Sequence, residues 1–389
     1  MRVAFFGDGT LDLCRKRRDG SIIWRRELFE RLEEDGHEPL YLAPERHSAD
    51  AELFFRERVV GWDWRGEVDA LIFESRRPFF APSEGKLDTN AYFQQGRLLR
   101  DWFLGKLGTP KLFAVDFDLA TRSAFGIGGR KAEYLSISWC REALPEMPEI
   151  LDKLRDQLTC LVPYDPAESP MERKRDGNYE VVKFTWGYPE SIEVEPLPFG
   201  ERSWDLFYPG SDYDRRASFE RYYVAAGRAS WTVGVGGEWN DQNTGGKSAP
   251  DHLRGQRFKH RVISETANNV TFLNDGHLLS QADLGTEMQQ TCAVVQIVKP
   301  EYAKLGYETM RPAEAAAAGA LVFIDTEIKS PGGDVPHDWF RVPSFESVRD
   351  KLASVRGREE KGVEMWRAFL RERGTIRDRA RQLVELVSC

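Results

Sequence analysis

Short apolar runs alternate with segments of helical periodicity along most of this chain. The apolar runs have the length of buried strands, and the segments between them place apolar residues every three or four positions, as one face of a helix requires. In the first half, strands are predicted at residues 3–7, 39–43, 68–73, 111–115 and 134–139, and helices at 22–32 and 92–107. Strands that alternate with helices predict a parallel sheet.

A second series of the same kind occupies the second half of the chain. Its predicted strands cover residues 204–208, 231–235, 270–273, 293–298 and 321–324, and its predicted helices cover 215–226, 280–290 and 312–318. Prolines interrupt the pattern between the two series, from residue 163 to residue 203. An Arg- and Glu-rich stretch with apolar residues at intervals, residues 359–387, predicts one or two closing helices.

The chain is therefore predicted to be an α/β protein of two domains. The expected boundaries are 1–185 for the first domain, 186–203 for a linker, 204–358 for the second domain and 359–389 for the closing helices. In folds of this class, ligands bind beyond the carboxyl ends of the strands. We expect a cleft between the two domains to hold the functional site.

Composition narrows the class of protein further. The 389 residues are 41% hydrophobic, which is ample for folded domains. The mean hydropathy is −0.52, and no apolar run approaches the ~20 residues needed to cross a bilayer. Five scattered cysteines and the absence of a visible export signal predict reduced thiols in the cytoplasm. The formal net charge of −8 argues against a general, charge-driven nucleic-acid binder, but leaves room for a local basic groove.

The most informative segment runs from Arg311 to Gly319 and reads Arg-Pro-Ala-Glu-Ala-Ala-Ala-Ala-Gly. Pro312 suits the first turn of a helix, and Gly319 suits its end. Free N–H groups at the start of such a helix favour an anionic diphosphate, and Glu314 can accept hydrogen bonds from a ribose. The alternative is a purely structural helix whose glutamate stabilises the first turn.

This segment resembles the donor-site signature of GT-B glycosyltransferases, especially the group-1-like families, written R-x-x-E-A-x-A-x-G before a strand. The resemblance implies two Rossmann-like domains facing across a cleft, with a nucleotide-sugar donor in the second and the acceptor in the first. It also implies a UDP-sugar such as UDP-glucose as the donor, and no metal cofactor. Many retaining members carry a second glutamate where this chain has Gly306, so retention of the anomeric configuration is expected from the resemblance alone.

The resemblance also implies that cationic side chains bind the diphosphate of the donor. Glu314 is expected to hold the ribose or the sugar, while Arg311, Lys299 and Arg215 are expected to contact the phosphates. The predicted donor site is completed by Arg216, Met310 and Pro312. For the two arginines at 215 and 216, the alternative is a solvated helix start.

Candidates for orienting or deprotonating an acceptor hydroxyl lie in the first half. Asp116 and Asp118 follow the strand predicted at 111–115, in a position that resembles the acidic loop of phage DNA glycosyltransferases. Asp8, flanked by Gly7 and Gly9, is a second candidate. These carboxylates could instead cap helices. Two D-x-D triplets, at 116–118 and 212–214, also admit a divalent metal, which we rank lower.

The acceptor is predicted to be a hydroxyl on a modified, hydroxymethylated base of double-stranded phage DNA. Basic clusters at residues 14–19, 76–77 and 129–131 could hold DNA phosphates, although such clusters are often solvated surface. One alternative is a transferase for a cell-surface glycan, lipid or protein. Another is a non-catalytic protein that binds nucleotide sugars.

Overall fold

The structure is a computed structural model. It describes residues 1–7, 21–42, 59–60, 66–74, 100–115, 149–150, 153, 157–167, 180–210, 215–237, 269–273, 281–306, 309–329 and 335–389. The chain divides into two compact units. The first comprises Met1–Arg17, Leu28–Thr185 and Arg379–Cys389, and the second comprises Arg18–Glu27 and Trp186–Asp378.

The first unit is built on a parallel sheet that has seven strands among the described residues. The strands are β1 (Arg2–Gly7), β2 (Glu38–Leu42), β3 (Val59–Val60), β4 (Ala70–Glu74), β5 (Lys111–Val115), β6 (Leu158–Val162) and β7 (Glu180–Lys183), in the order β3-β2-β1-β4-β5-β6-β7. Helix α1 (Ser21–Glu34) connects β1 to β2. Buried apolar side chains fill the central strands, as expected of a parallel sheet covered on both faces.

The second unit contains a parallel sheet with six strands among the described residues. The strands are β8 (Trp204–Tyr208), β9 (Val233–Val235), β10 (Val270–Phe272), β11 (Thr291–Gln296), β12 (Leu321–Asp325) and β13 (Arg341–Val342), in the order β10-β9-β8-β11-β12-β13. β12 is buried at every position, which fits its place inside the sheet.

Helices lie between these strands and after the last of them. A continuous helix, α2 (216–228), follows β8 and contains a π-helical turn at Glu220–Val224. The others are α3 (Gln281–Gln289), α4 (Pro300–Leu305), α5 (Arg311–Ala317), α6 (Phe345–Ser354), α7 (Glu359–Arg373) and α8 (Ile376–Ser388). Short 3-10 turns occur at Glu190–Ile192, Phe199–Glu201 and Asp338–Phe340.

The structure differs from the sequence-based expectation in several places, beginning with strands β3, β6 and β13, which the sequence does not predict. β7 lies inside the proline-interrupted stretch that the sequence predicts to be irregular. Its residues form a strand there because they pair with β6. Residues 186–203, the predicted linker, are part of the second unit, and α8 from Arg379 onward is part of the first. The strand predicted at 134–139 lies outside the described residues.

Candidate functional site

The start of α5 lies at the carboxyl edge of the second sheet. α4 and α5 together connect β11 to β12, which are parallel neighbours, so the chain must return across the sheet between the end of β11 and the start of β12. A hydrogen bond marks this position directly. The Gln296 side-chain amide, at the end of β11, donates from Nε2 to Thr309 Oγ1 over 2.8 Å, two residues before α5.

Arg311 and Glu314 form an ion pair on the first turn of α5. Arg311 Nη1 donates to Glu314 Oε2 over 2.6 Å, across the i, i+3 spacing that brings side chains together on a helix. Glu314 has no exposed side-chain surface, whereas 26% of the Arg311 side chain is exposed. Within the described part of the chain, Glu314 is the only hydrogen-bond partner of the Arg311 side chain. The guanidinium thus compensates a buried carboxylate, and the side chain that carries it stays partly exposed.

The local sequence explains why α5 is short and sharply bounded. Pro312 lies in its first turn, where a missing N–H costs nothing. Gly319 ends the segment with a φ of +86°, and a Cβ there would stand 3.0 Å from Pro196 Cα. A left-handed, crowded position of this kind is suited to glycine. Met310 precedes the helix as a buried residue, and its carbonyl accepts the Glu314 N–H over 2.9 Å.

The other predicted donor residues also follow strands of this sheet. Lys299 comes three residues after the end of β11, and its Nζ lies 5.2 Å from the centroid of the Tyr302 ring. Arg215 immediately precedes α2, and Arg216 begins it. The Arg216 Nε is 3.5 Å from Glu220 Oε1, between two exposed side chains. Topology therefore assigns all three to the carboxyl edge, and their contacts with a donor stay predictions.

The sequence does not predict an acidic and basic cluster that the structure forms at the end of β12. Asp325 is buried; its Oδ2 accepts from Arg221 Nη2 over 2.7 Å, and its Oδ1 accepts the Glu327 N–H over 3.0 Å. Arg221 Nη1 also donates to Glu327 Oε1 over 2.5 Å. Burial raises the pKa of Asp325, and the hydrogen bond to Glu327 raises the pKa of Arg221. The cluster ties α2, and with it the segment that carries Arg215, to the carboxyl end of β12.

The buried tyrosines of α2 reinforce that attachment. Tyr222 donates from its hydroxyl to the Val342 carbonyl over 2.7 Å, and Tyr223 donates to the Val295 carbonyl over 2.7 Å. Both belong to the π-helical turn. The sequence signal for the cluster is an aspartate at the end of an apolar strand, but its arginine partner comes from a helix 104 residues earlier.

The predicted acceptor-side carboxylates lie outside the described residues. Asp116 and Asp118 follow β5 in sequence, and Asp8 follows β1. The basic clusters at 14–19, 76–77 and 129–131 lie outside as well. In the described ranges, no group of three or more His, Cys, Asp or Glu side chains could hold a metal ion. None of the helices described is long and apolar enough to cross a membrane.

Comparison with known proteins gives a clear result for the fold. No protein-family model and no curated protein matches the sequence. Among solved structures, a T4 phage β-glucosyltransferase in complex with UDP and Mn2+ has a TM-score of 0.63 at 13% identity, covering 100% of this chain and 99% of that one. An α-glucosyltransferase in complex with UDP and a 13-mer DNA containing a HMU base has a TM-score of 0.56 at 11% identity, covering 100% of both chains. The chain has the GT-B fold.

The GT-B fold confirms the fold class predicted from the sequence. The match extends over the whole chain, although the recognisable GT-B signature is confined to the segment around α5. Within that fold, the structure brings Arg311 and Glu314 into direct contact and links Met310 to Glu314 through the backbone.

Proposed function

We propose that this protein is a glycosyltransferase that moves a sugar, with glucose as the first candidate, from a UDP-sugar to a hydroxyl of a modified DNA base. The observation that carries the proposal is the Arg311–Glu314 pair on α5, in a chain with the fold of proteins solved with UDP and UDP-glucose. The proposed acceptor rests on the α-glucosyltransferase solved with HMU-containing DNA, together with the basic clusters of the first unit. Such an acceptor fits the cytoplasm predicted from the cysteines.

In the proposed donor complex, the partly exposed Arg311 side chain turns its guanidinium to the diphosphate. Its bond to Glu314 Oε2 is released as the donor binds. Because Glu314 has no exposed side-chain surface in the structure, this release uncovers the carboxylate, which then accepts hydrogen bonds from ribose hydroxyls. Lys299 and Arg215 supply further positive charge to the phosphates, while Arg216, Met310 and Pro312 shape the donor site. Cations preorganised around the β-phosphate stabilise the charge that develops as the UDP leaves.

The overall transfer requires one proton acceptor. The acceptor oxygen bonds to the anomeric carbon, the bond from that carbon to the β-phosphate oxygen breaks, and the hydroxyl proton passes to a carboxylate. Asp116, Asp118 and Asp8 are our candidates for that carboxylate. We expect retention of the anomeric configuration, which NMR of the anomeric proton in the product tests.

The donor site is tested by titrating UDP and UDP-glucose into the protein in a calorimeter. Glu314→Gln removes one charge while preserving size, and Arg311→Gln removes one charge while keeping a shorter polar side chain. We expect both to weaken UDP binding and to reduce turnover by about a hundredfold, as for loss of a charge-stabilising group. Arg349→Gln is the matched control, because Arg349 is an exposed arginine that bonds only to its neighbour Asp350 within the described part of the chain. Normal turnover in both site variants would mean that the donor site is elsewhere.

The acceptor is tested with labelled UDP-glucose and DNA duplexes that differ only in one hydroxymethylated base. Label should enter the hydroxymethylated duplex and not the unmodified one. Label in a saccharide acceptor instead would favour a glycan transferase, and UDP-glucose binding without turnover would favour a non-catalytic protein. We propose that no metal is required, so turnover should persist in excess chelator. The T4 phage enzyme was solved in complex with UDP and Mn2+. If turnover is lost in chelator and restored by Mn2+, a metal is required after all.

A further inference from the structure

α5 has few side chains that could lock it in position by shape alone. Four of its seven residues are alanines, and all four are buried. Alanine side chains pack closely but interdigitate little, so a helix made of them can shift with small loss of contact. The position of Arg311 and Glu314 must therefore be held by other groups.

The Arg367 side chain holds the carboxyl end of α5 by hydrogen bonds. It lies on α7 with 4% of its side chain exposed, and its Nε donates to the Ala316 carbonyl over 2.9 Å. Its Nη2 donates to the Ala317 carbonyl over 3.1 Å and to the Val194 carbonyl over 2.7 Å. The last carbonyls of a helix have no partner within the helix, and a cation there also meets the negative end of the helix dipole.

The charge of Arg367 is itself compensated by two carboxylates. Glu364 Oε1 lies 3.0 Å from its Nη1, and Glu193 Oε1 lies 3.7 Å from the same atom. A buried guanidinium with fixed carbonyl and carboxylate partners has little freedom to move. It therefore holds α5, α7 and the extended segment at Val194 in one arrangement.

A second arginine holds the turn that follows α5. Arg202 Nη1 donates to the Gly319 carbonyl over 2.9 Å and to the Thr291 carbonyl, at the start of β11, over 2.6 Å. Burial lowers the pKa of Arg202 to about 10, so the side chain stays charged at neutral pH. α5 is thus tied at its carboxyl end to α7 and, through the turn, to β11.

We propose that Arg367 is a positioning residue for the donor site, acting through α5 on Arg311 and Glu314. The inference rests on the proposed function, since it concerns binding of UDP at that pair. Ala317 lies three residues beyond Glu314, which is about 4.5 Å along a helix axis. A shift of the carbonyls that Arg367 holds is therefore carried to the Glu314 carboxylate and the Arg311 guanidinium.

The test compares Arg367→Met with Arg371→Met. Arg371 lies one turn further along α7 and pairs with Glu193, so its replacement removes an ion pair from the same helix and shares with Arg367→Met a change at Glu193. It leaves in place the bonds of Arg367 to the Ala316 and Ala317 carbonyls, which are the contacts under test. For Arg367→Met we expect the Kd for UDP and the KM for UDP-glucose to rise about tenfold, as for a misplaced binding group. For Arg371→Met we expect changes within about twofold, whatever the loss in Tm.

Arg367→Lys keeps the charge but cannot reach all the carbonyls, so its Kd for UDP should lie between wild type and Arg367→Met. It also carries the test if Arg367→Met does not fold. If Arg367→Met folds and has the wild-type Kd for UDP, this inference alone is overturned. If Arg367→Met does not fold, an Arg367→Lys variant with the wild-type Kd overturns it in the same way. A wild-type protein that binds neither UDP nor UDP-glucose overturns the proposed function and this inference with it.

Discussion

At the scale of single residues, Glu193 of the second unit is a charged group with defined partners. Glu193 accepts a hydrogen bond from the Tyr188 hydroxyl over 2.7 Å and is also bonded by Arg371. Burial by itself raises the pKa of Glu193, but the bonds from Tyr188 and Arg371 outweigh it and hold that pKa below its ordinary value. Folding therefore favours the ionised form of this side chain.

This arrangement predicts a pH dependence of stability. A lowered carboxyl pKa contributes stability above the ordinary value of about 4.3, and that contribution is lost as the pH falls through the folded-state value. Glu193→Gln should reduce the free energy of unfolding at neutral pH by about 1 kcal/mol. The difference in free energy of unfolding between wild type and variant should close in acid. Urea denaturation from neutral pH down through the folded-state pKa of Glu193 measures it. An equal gap at every pH would show that the charge of Glu193 contributes nothing.

At the scale of elements, the turn from α5 into β12 depends on one glycine. Gly319 and Gly357 both have a positive φ, at +86° and +75°, but of these two only a Cβ at Gly319 would meet another residue within 4 Å. Gly357 is therefore a control for the cost of the backbone conformation alone.

Gly319→Ala should destabilise the protein more than Gly357→Ala. The conformational cost of about 1 kcal/mol is common to both, and the crowding against Pro196 should add at least about 1 kcal/mol. Thermal and denaturant unfolding of the two variants measure the difference. Equal losses would indicate that the Pro196 segment yields to the new methyl group.

At the scale of the whole molecule, the last helix of the chain completes the first unit. From Arg379 onward α8 belongs to that unit, and Leu383 is buried there. Gln382 Nε2 donates to the carbonyl of Lys183, the last residue of β7, over 2.9 Å. The sheet edge near the middle of the sequence therefore depends on residues at the carboxyl terminus.

Leu383→Ala should cost about 3 kcal/mol, as for other large-to-small changes in a core. Because α8 lies beside β7, hydrogen exchange should become faster in β6 and β7. Glu385→Ala, at an exposed position on the same helix, is the control and should change neither quantity. Faster exchange confined to β11 and β12 would contradict the assignment of α8 to the first unit.

Much of the fold was predictable because its signals are local. The strands at 111–115 and 204–208 and helix α5 follow from apolar runs and from Pro312 and Gly319, which act on their own backbone. The closeness of Arg311 and Glu314 has a local cause too, since i, i+3 spacing on a helix brings two side chains together.

Only the tertiary structure decided which distant groups contact α5, the turn after it and the end of β12. Arg367 reaches a carbonyl 51 residues away and Arg202 reaches one 117 residues away, while the partner of Asp325 comes from 104 residues earlier. β7 was missed because its pairing with β6 supplies the stability that its own short sequence lacks. The sequence by itself determined most of the elements and the Arg311–Glu314 segment, because these depend on neighbouring residues. The fold alone determined which side chains are buried, which charges are paired and how α5 is aligned, because these depend on which distant segments meet.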